Sequence, residues 1–107
     1  RLLASGYGSP VLFSPRRLGI WSFLSTVYDR QAGEVRHYLN GHEVSTEKLA
    51  FDQPLQIGAG EIGNWGVPIG RNEHVIRNFV GRIDEFIIWN TALTSDEIRD
   101  IYWKTRP

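Results

Sequence analysis

Trp65 stands between Asn64 and Gly66, with Glu61, Arg71, Asn72 and His74 a few residues to either side. A flat indole beside amide, guanidinium and carboxylate groups suits a sugar ring: the apolar face stacks and the polar groups hydrogen-bond to hydroxyls. The same indole would also serve as a lid folded over the core of a small domain, and both readings stay open. The surrounding stretch, residues 59–78, contains Gly60, Gly63, Gly66, Pro68 and Gly70. It is too rich in breakers to form one regular element. Long loops on a rigid scaffold commonly carry function. Tyr28 and Tyr38 join this set of binding candidates as strand residues whose rings can face outward.

Covalent and metal chemistry find little support. Ser5, Ser9, Ser14, Ser22, Ser25, Ser45 and Ser95 all lie outside a Gly-x-Ser-x-Gly elbow. Cysteine is absent, which removes disulfides, thiolate metal ligands and Cys nucleophiles. His37, His42 and His74 show no zinc-protease spacing. His37 and His42 flank Asn40-Gly41 and can approach each other across a hairpin, but zinc would need further ligands, so both read as surface residues. Asp84 and Glu85 are adjacent, and on a strand adjacent side chains point to opposite faces.

These residues need a scaffold, and the chain reads as all-β. Short β-rich runs recur between turn clusters, the pattern of a sandwich or barrel. They are Val11 to Phe13, Trp21 to Tyr28, Glu34 to Leu39, His42 to Val44 and Leu55 to Gly58. Asn40-Gly41 is the strongest turn signal, because a type I′ hairpin needs positive φ at both central positions. Val80 to Trp89 is dense in β-branched and aromatic residues and predicts a heavily buried strand, with Trp89 and Trp21 in the core. Its alternation is imperfect: either the strand is covered on both faces or a bulge near Asp84-Glu85 shifts the register. Thr94 and Glu97 then have the form of a capping box, with Asp96 and Glu97 at the positive end of the helix dipole. The helix is expected from Ser95 to Tyr102. Ile98, Ile101 and Tyr102 share one face, Leu93 staples onto it, and Trp103 packs beside it.

Gly81 to Glu85, Trp89-Asn90, Ala92-Leu93 and the Thr94 to Ile98 helix start, taken together, closely resemble the last strand and closing helix of laminin-G-like jelly rolls. These belong to the concanavalin A-like lectin and glucanase superfamily. Tyr38 to Gly41 matches a Tyr-x-Asn-Gly turn of the same family, and the resemblance covers about Trp21 to Trp103. It implies an antiparallel two-sheet jelly-roll sandwich with one short C-terminal helix. It also implies non-catalytic recognition of glycans or protein surfaces, outside the cell or in its envelope. Modules of this kind are often fused to enzymes, adhesins or envelope signalling proteins.

A glycoside hydrolase is the remote alternative. Catalytic relatives carry Glu-x-Asp-x-Glu on one strand, where the period of two aligns the carboxylates as retaining hydrolysis requires. In this chain the nearest string is Glu61-Ile62-Gly63-Asn64-Trp65, with glycine where the aspartate belongs. A structural Ca²⁺ is the one cofactor the resemblance suggests, with Asp84 at the matching position; otherwise Asp84 is a hydrogen-bond partner for a nearby loop. Glu85 is expected in an ion pair with Arg82 or Arg77.

The 107 residues are expected to form a single domain, residues 1–107, with a small core that buries roughly 60 to 70% of the unfolded surface. Twelve basic side chains balance twelve acidic ones, so no field draws the chain to nucleic acid or an acidic membrane surface. No apolar run reaches the ~18 residues of a membrane span. The start at Arg1 without Met suggests a piece of a larger protein. Residues 1–17 look too short to supply all the N-terminal strands of a jelly roll, so exposed sheet edges are expected to be polar or covered by a second copy.

Overall fold

A computed structural model describes residues 2–4, 19–50, 52–60, 62–63, 79 and 81–106. Among these residues the regular structure comprises two three-stranded antiparallel sheets and one helix. The first sheet has the order β2 (Trp21–Ser22), β1 (Leu2–Ala4), β6 (Gly81–Ile83). The second has the order β3 (Leu24–Asp29), β4 (Glu34–Leu39), β5 (His42–Lys48). The helix α1 spans Ser95–Thr105. The expected all-β architecture with antiparallel pairing and one short closing helix is thus present among the described residues.

The predicted run Trp21 to Tyr28 divides at Phe23, where the chain leaves the first sheet for the second. Asn40 secures this crossing. Its backbone N–H donates to the Phe23 carbonyl at 2.8 Å, and its side-chain Oδ1 accepts from the Phe23 N–H at 2.9 Å. Asn40 and Gly41 both have positive φ, 51° and 79°, as a type I′ turn demands. A Cβ on Gly41 would come within 3.2 Å of the Tyr102 ring, so this glycine is needed for packing as well as for φ.

Val27, Tyr38 and Ile98 form the core of the described residues, with Phe23 and Leu93 packed against it. Ser25, Val27 and Asp29 on β3 lie opposite Tyr38, Arg36 and Glu34 on β4, and this is the face that α1 covers. The helix keeps pace with β4. Arg36 Nη2 donates to the Leu93 carbonyl at 3.2 Å, Tyr38 shares a 2.8 Å hydrogen bond with Ser95 Oγ, and Gly41 touches Tyr102. The capping box forms as the sequence predicts: Glu97 N–H donates to Thr94 Oγ1 at 3.2 Å and Thr94 N–H to Glu97 Oε2 at 2.7 Å. Helix and cap run to Thr105, three residues past the expected end. Trp103 sits edge-on to Tyr102 with the Arg106 guanidinium 4.1 Å from its ring centre.

Several expectations need correction. The strand predicted from Val80 to Trp89 is the three-residue β6, because its ladder with β1 ends at the Leu2 and Ile83 pair. Beyond it Phe86, Ile87, Ile88 and Trp89 are exposed, Trp89 to 53%, so Trp89 is no core residue, and Trp21 is half-buried. Leu55 to Gly58 joins no described strand, and Leu55 and Ile57 are exposed. β5 is four residues longer than predicted and takes a bulge at Val44, where the register passes from His37 opposite Ser45 to Tyr38 opposite Glu43. All its residues are exposed, with charges at Glu43, Glu47 and Lys48 that suit an edge strand. Val11 to Phe13 lies outside the described residues.

Replacing Ile98 with Ala is expected to cost about 2 to 4 kcal/mol, read from urea unfolding, because it removes the helix's contribution to the cluster with Val27 and Tyr38. A change no greater than that of a control at exposed Arg99 would show the helix to be merely appended. Asn40→Ala is expected to cost about 1.5 to 3 kcal/mol, the sum of left-handed strain and the lost bond to Phe23. Asn40→Gly keeps the backbone freedom and should cost only the bond, about 1 kcal/mol. Equal losses in the two variants would sink that partition.

Candidate functional site

Symmetry of the hairpin about Asn40-Gly41 brings Lys48 opposite Glu34, and the chain leaving β5 therefore passes beside the turn that joins β3 to β4. Three hydrogen bonds hold it there. Leu49 N–H donates to the Gly33 carbonyl at 2.8 Å, Arg30 Nε to Asp52 Oδ1 at 2.5 Å, and Tyr28 OH to the Gln53 carbonyl at 2.6 Å. Ala32 N–H donates to Asp29 Oδ1 at 3.0 Å, and Gly33 supplies positive φ, 69°, so the turn itself is fixed as well.

Between turn and returning chain lies a shallow hollow of about 210 Å³ lined by Arg30, Gly33, Leu49, Ala50 and Asp52. Its rim is an ion pair whose two side chains are 50% and 76% exposed. Hydrogen bonding and charge attraction from Asp52 hold the Arg30 guanidinium even more firmly protonated than usual. Such an exposed pair adds little to stability, and the Leu49–Gly33 and Tyr28–Gln53 hydrogen bonds do more than its charge to keep the hollow in shape. Tyr28 leads from the hollow onto the sheet face away from α1. Thr26 and His37 sit opposite each other on that face, with Thr26 Oγ1 and His37 Nδ1 3.0 Å apart in an exposed hydrogen bond, and Ser45 continues the row onto β5.

Of the residues singled out in the sequence, Glu61, Asn64, Trp65, Arg71, Asn72 and His74 lie outside the described residues. Tyr38 is not outward-facing. It is 2% exposed, its ring packs with Val27 and Ile98, and its hydroxyl is bound to Ser95, so it offers no face to a ligand. Its strand alternation puts it on the helix side. His37 and His42 do not pair: His37 lies opposite Ser45 and His42 opposite Leu39. Asp84 is exposed in the segment directly after β6. No three His, Asp or Glu side chains cluster among the described residues, so side chains there do not by themselves make the six-to-eight-oxygen shell that Ca²⁺ prefers.

Asp29 and Glu34 face each other across the hairpin, the one opposed carboxylate pair on β3 and β4. Arg36 lies between them, with Nη2 3.4 Å from Asp29 and Nε 3.7 Å from Glu34, and is itself only 17% exposed. This cluster ties the hairpin to the chain entering α1. Its chemistry is that of a structural ion network.

A family model described as the concanavalin A-like lectin/glucanases superfamily, of the laminin-G type, matches residues 7–99. The crystal structure of an S-layer domain-containing protein, residues 221–444, from Clostridium thermocellum ATCC 27405 is similar in fold. Its TM-score is 0.61 at 24% identity over 78% of this chain. This chain spans 40% of that solved chain. No curated protein matches the sequence.

Tyr28→Phe removes the tether to Gln53 and leaves the ring in place. Amide exchange across residues 49–54 is expected to speed up roughly twofold to tenfold, the equivalent of one hydrogen bond, with global stability nearly unchanged. Exchange as slow as in the native chain would mean that the returning segment is held by something else.

Proposed function

Because the chain belongs to the concanavalin A-like lectin/glucanases superfamily, we propose that it is a non-catalytic recognition module of a larger secreted or cell-envelope protein, with carbohydrate as its ligand. The observation that carries this reading is the tethered hollow at the β3–β4 turn. It is amphipathic, lined by Leu49 and Ala50 together with the Arg30–Asp52 ion pair. Small apolar surface beside a few fixed polar groups is what a sugar ring requires. The two sheets fit a jelly-roll sandwich, and the S-layer context of the similar solved structure supports an envelope location.

A non-catalytic role accords with the carboxylates at the β3–β4 turn and the hollow. Asp29 and Glu34 are engaged by Arg36, and Asp52 by Arg30. Protein binding is the second reading. It is favoured by Phe86, Ile87, Ile88 and Trp89, consecutive large apolar side chains that are all exposed, as at many protein-recognition surfaces.

A glycan array separates these readings. The native chain should bind one or more sugars reproducibly and release no reducing sugar from β-glucans. Release that disappears in Glu61→Gln would overturn the non-catalytic reading. An array without signal, together with a partner protein whose binding is lost in Trp89→Ser, would favour protein recognition. Asp84 enters the reading as an oxygen ligand of a structural ion. Millimolar Ca²⁺ is then expected to raise the unfolding temperature of the native chain and not of Asp84→Ala, since an ion bound to the folded state alone stabilises it. Indifference to both EGTA and Ca²⁺ would remove the ion.

A further inference from the structure

The charge balance of the hollow narrows what it can hold. Arg30 and Asp52 meet through Nε and Oδ1 alone, and the remaining guanidinium N–H groups and Oδ2 have no partner among the described residues. The rim therefore offers charged donors and a charged acceptor side by side while its net charge is zero. An anion entering there would face Asp52, and a cation would face Arg30. A neutral ligand with adjacent hydroxyls meets neither repulsion. One hydroxyl can donate to Oδ2 and its neighbour accept from the guanidinium, both as charge-assisted hydrogen bonds.

Size points the same way. About 210 Å³ lies below the ~300 Å³ at which pockets begin to hold drug-sized molecules, which leaves room for one small ring. Leu49 and Ala50 contribute apolar lining against which its C–H face can rest. The tethers at Leu49, Asp52 and Gln53 are formed before any ligand arrives, so little ordering is left for binding.

We propose that the hollow formed by Arg30, Gly33, Leu49, Ala50 and Asp52 is a monosaccharide subsite that selects neutral sugars with vicinal hydroxyls and rejects uronic and sulfated ones, the Arg30–Asp52 pair being its selector. This rests on the carbohydrate reading given above and adds its location and charge preference. The experiment is an array of matched neutral, uronic and sulfated oligosaccharides, probed with the full chain and with Asp52→Asn and Arg30→Gln. Both side chains are exposed, and near-ultraviolet circular dichroism with urea midpoints checks that the variants fold as the native chain does.

The native chain should bind neutral glycans in preference to acidic ones. Arg30→Gln should weaken neutral binding by about tenfold or more. Asp52→Asn should do the same and also raise binding of acidic glycans, because it leaves Arg30 without its counter-charge; a merely structural role would not produce that exchange of preference. A native preference for acidic glycans, neutral binding unchanged in both variants, or loss of neutral binding in Asp52→Asn with no gain for acidic glycans would each overturn the subsite. A native chain that binds no glycan at all would overturn the carbohydrate reading itself.

Discussion

The Asn40-Gly41 turn sets the geometry on which the other elements depend. Its two positive φ values fix the twist of the β3–β4–β5 sheet, and the Asn40 side chain does what no other turn residue would do at the same cost in strain. By accepting from the Phe23 N–H while its own N–H donates to the Phe23 carbonyl, it satisfies both backbone groups at the point where the chain passes between sheets. An unpaired N–H there would cost about as much as a lost hydrogen bond. The missing side chain of Gly41 then lets Tyr102 lie directly over the turn, so the end of α1 is positioned by the same two residues. Phe23 and Tyr102, with ring centres 6.0 Å apart, close the loop of contacts.

From that turn outward, β4 acts as a rail for the closing helix. Its helix-side residues, Arg36 and Tyr38, each reach the segment before or at the start of α1, and each contact combines packing with a hydrogen bond. Arg36 is the most demanding member. A largely buried guanidinium is tolerable only with its charge balanced, and Asp29 and Glu34 provide that from the two ends of the turn. Its Nε is buried without a hydrogen bond among the described residues, with Glu34 held at ion-pair distance instead. Among the described residues the core is consequently small but addressed in detail: three buried side chains, a cap, and polar contacts that fix the register of helix on sheet.

Local signals were legible in the sequence and long-range ones were not. Glu34 to Leu39, the Asn-Gly turn and the Thr94–Glu97 capping box each depend on residues within one turn or one strand of one another, and all three are as the residue types require. β1 was missed because Leu-Leu-Ala is too short to show alternation and is a strand only by virtue of lying between β2 and β6. β-propensity over-read Val80 to Trp89, since the extent of a strand is set by its partner and not by its own composition. The sequence lets Tyr38 face outward as a binding candidate, whereas the parity of the β3–β4 ladder puts it with Val27 and Arg36 on the helix side. Arg30 and Asp52 lie 22 residues apart with nothing local to join them. Counting outward from the Asn-Gly turn along both strands places residues 48–51 beside 33–30, and the one-residue bulge at Val44 shifts this by one to bring Asp52 to Arg30.

The two ends of this hairpin are held by different kinds of interaction, and the difference bears on where recognition can reside. At the Asn40-Gly41 end, backbone strain, a side-chain bond and aromatic packing are interlocked, so few substitutions leave the fold intact. At the Arg30–Gly33 end, tethering runs mostly through carbonyls and one tyrosine hydroxyl, while the side chains that meet solvent take little part in the core. Backbone tethers are indifferent to the residue that carries them. The chemistry of the hollow can therefore change through Arg30, Ala50 or Asp52 while its shape persists, which is the condition under which a scaffold supports a variable binding surface. The ordered turn, where apolar lining and a fixed ion pair lie together, is a sounder place to expect selectivity than the exposed apolar run of Phe86 to Trp89, whose large side chains supply mainly area.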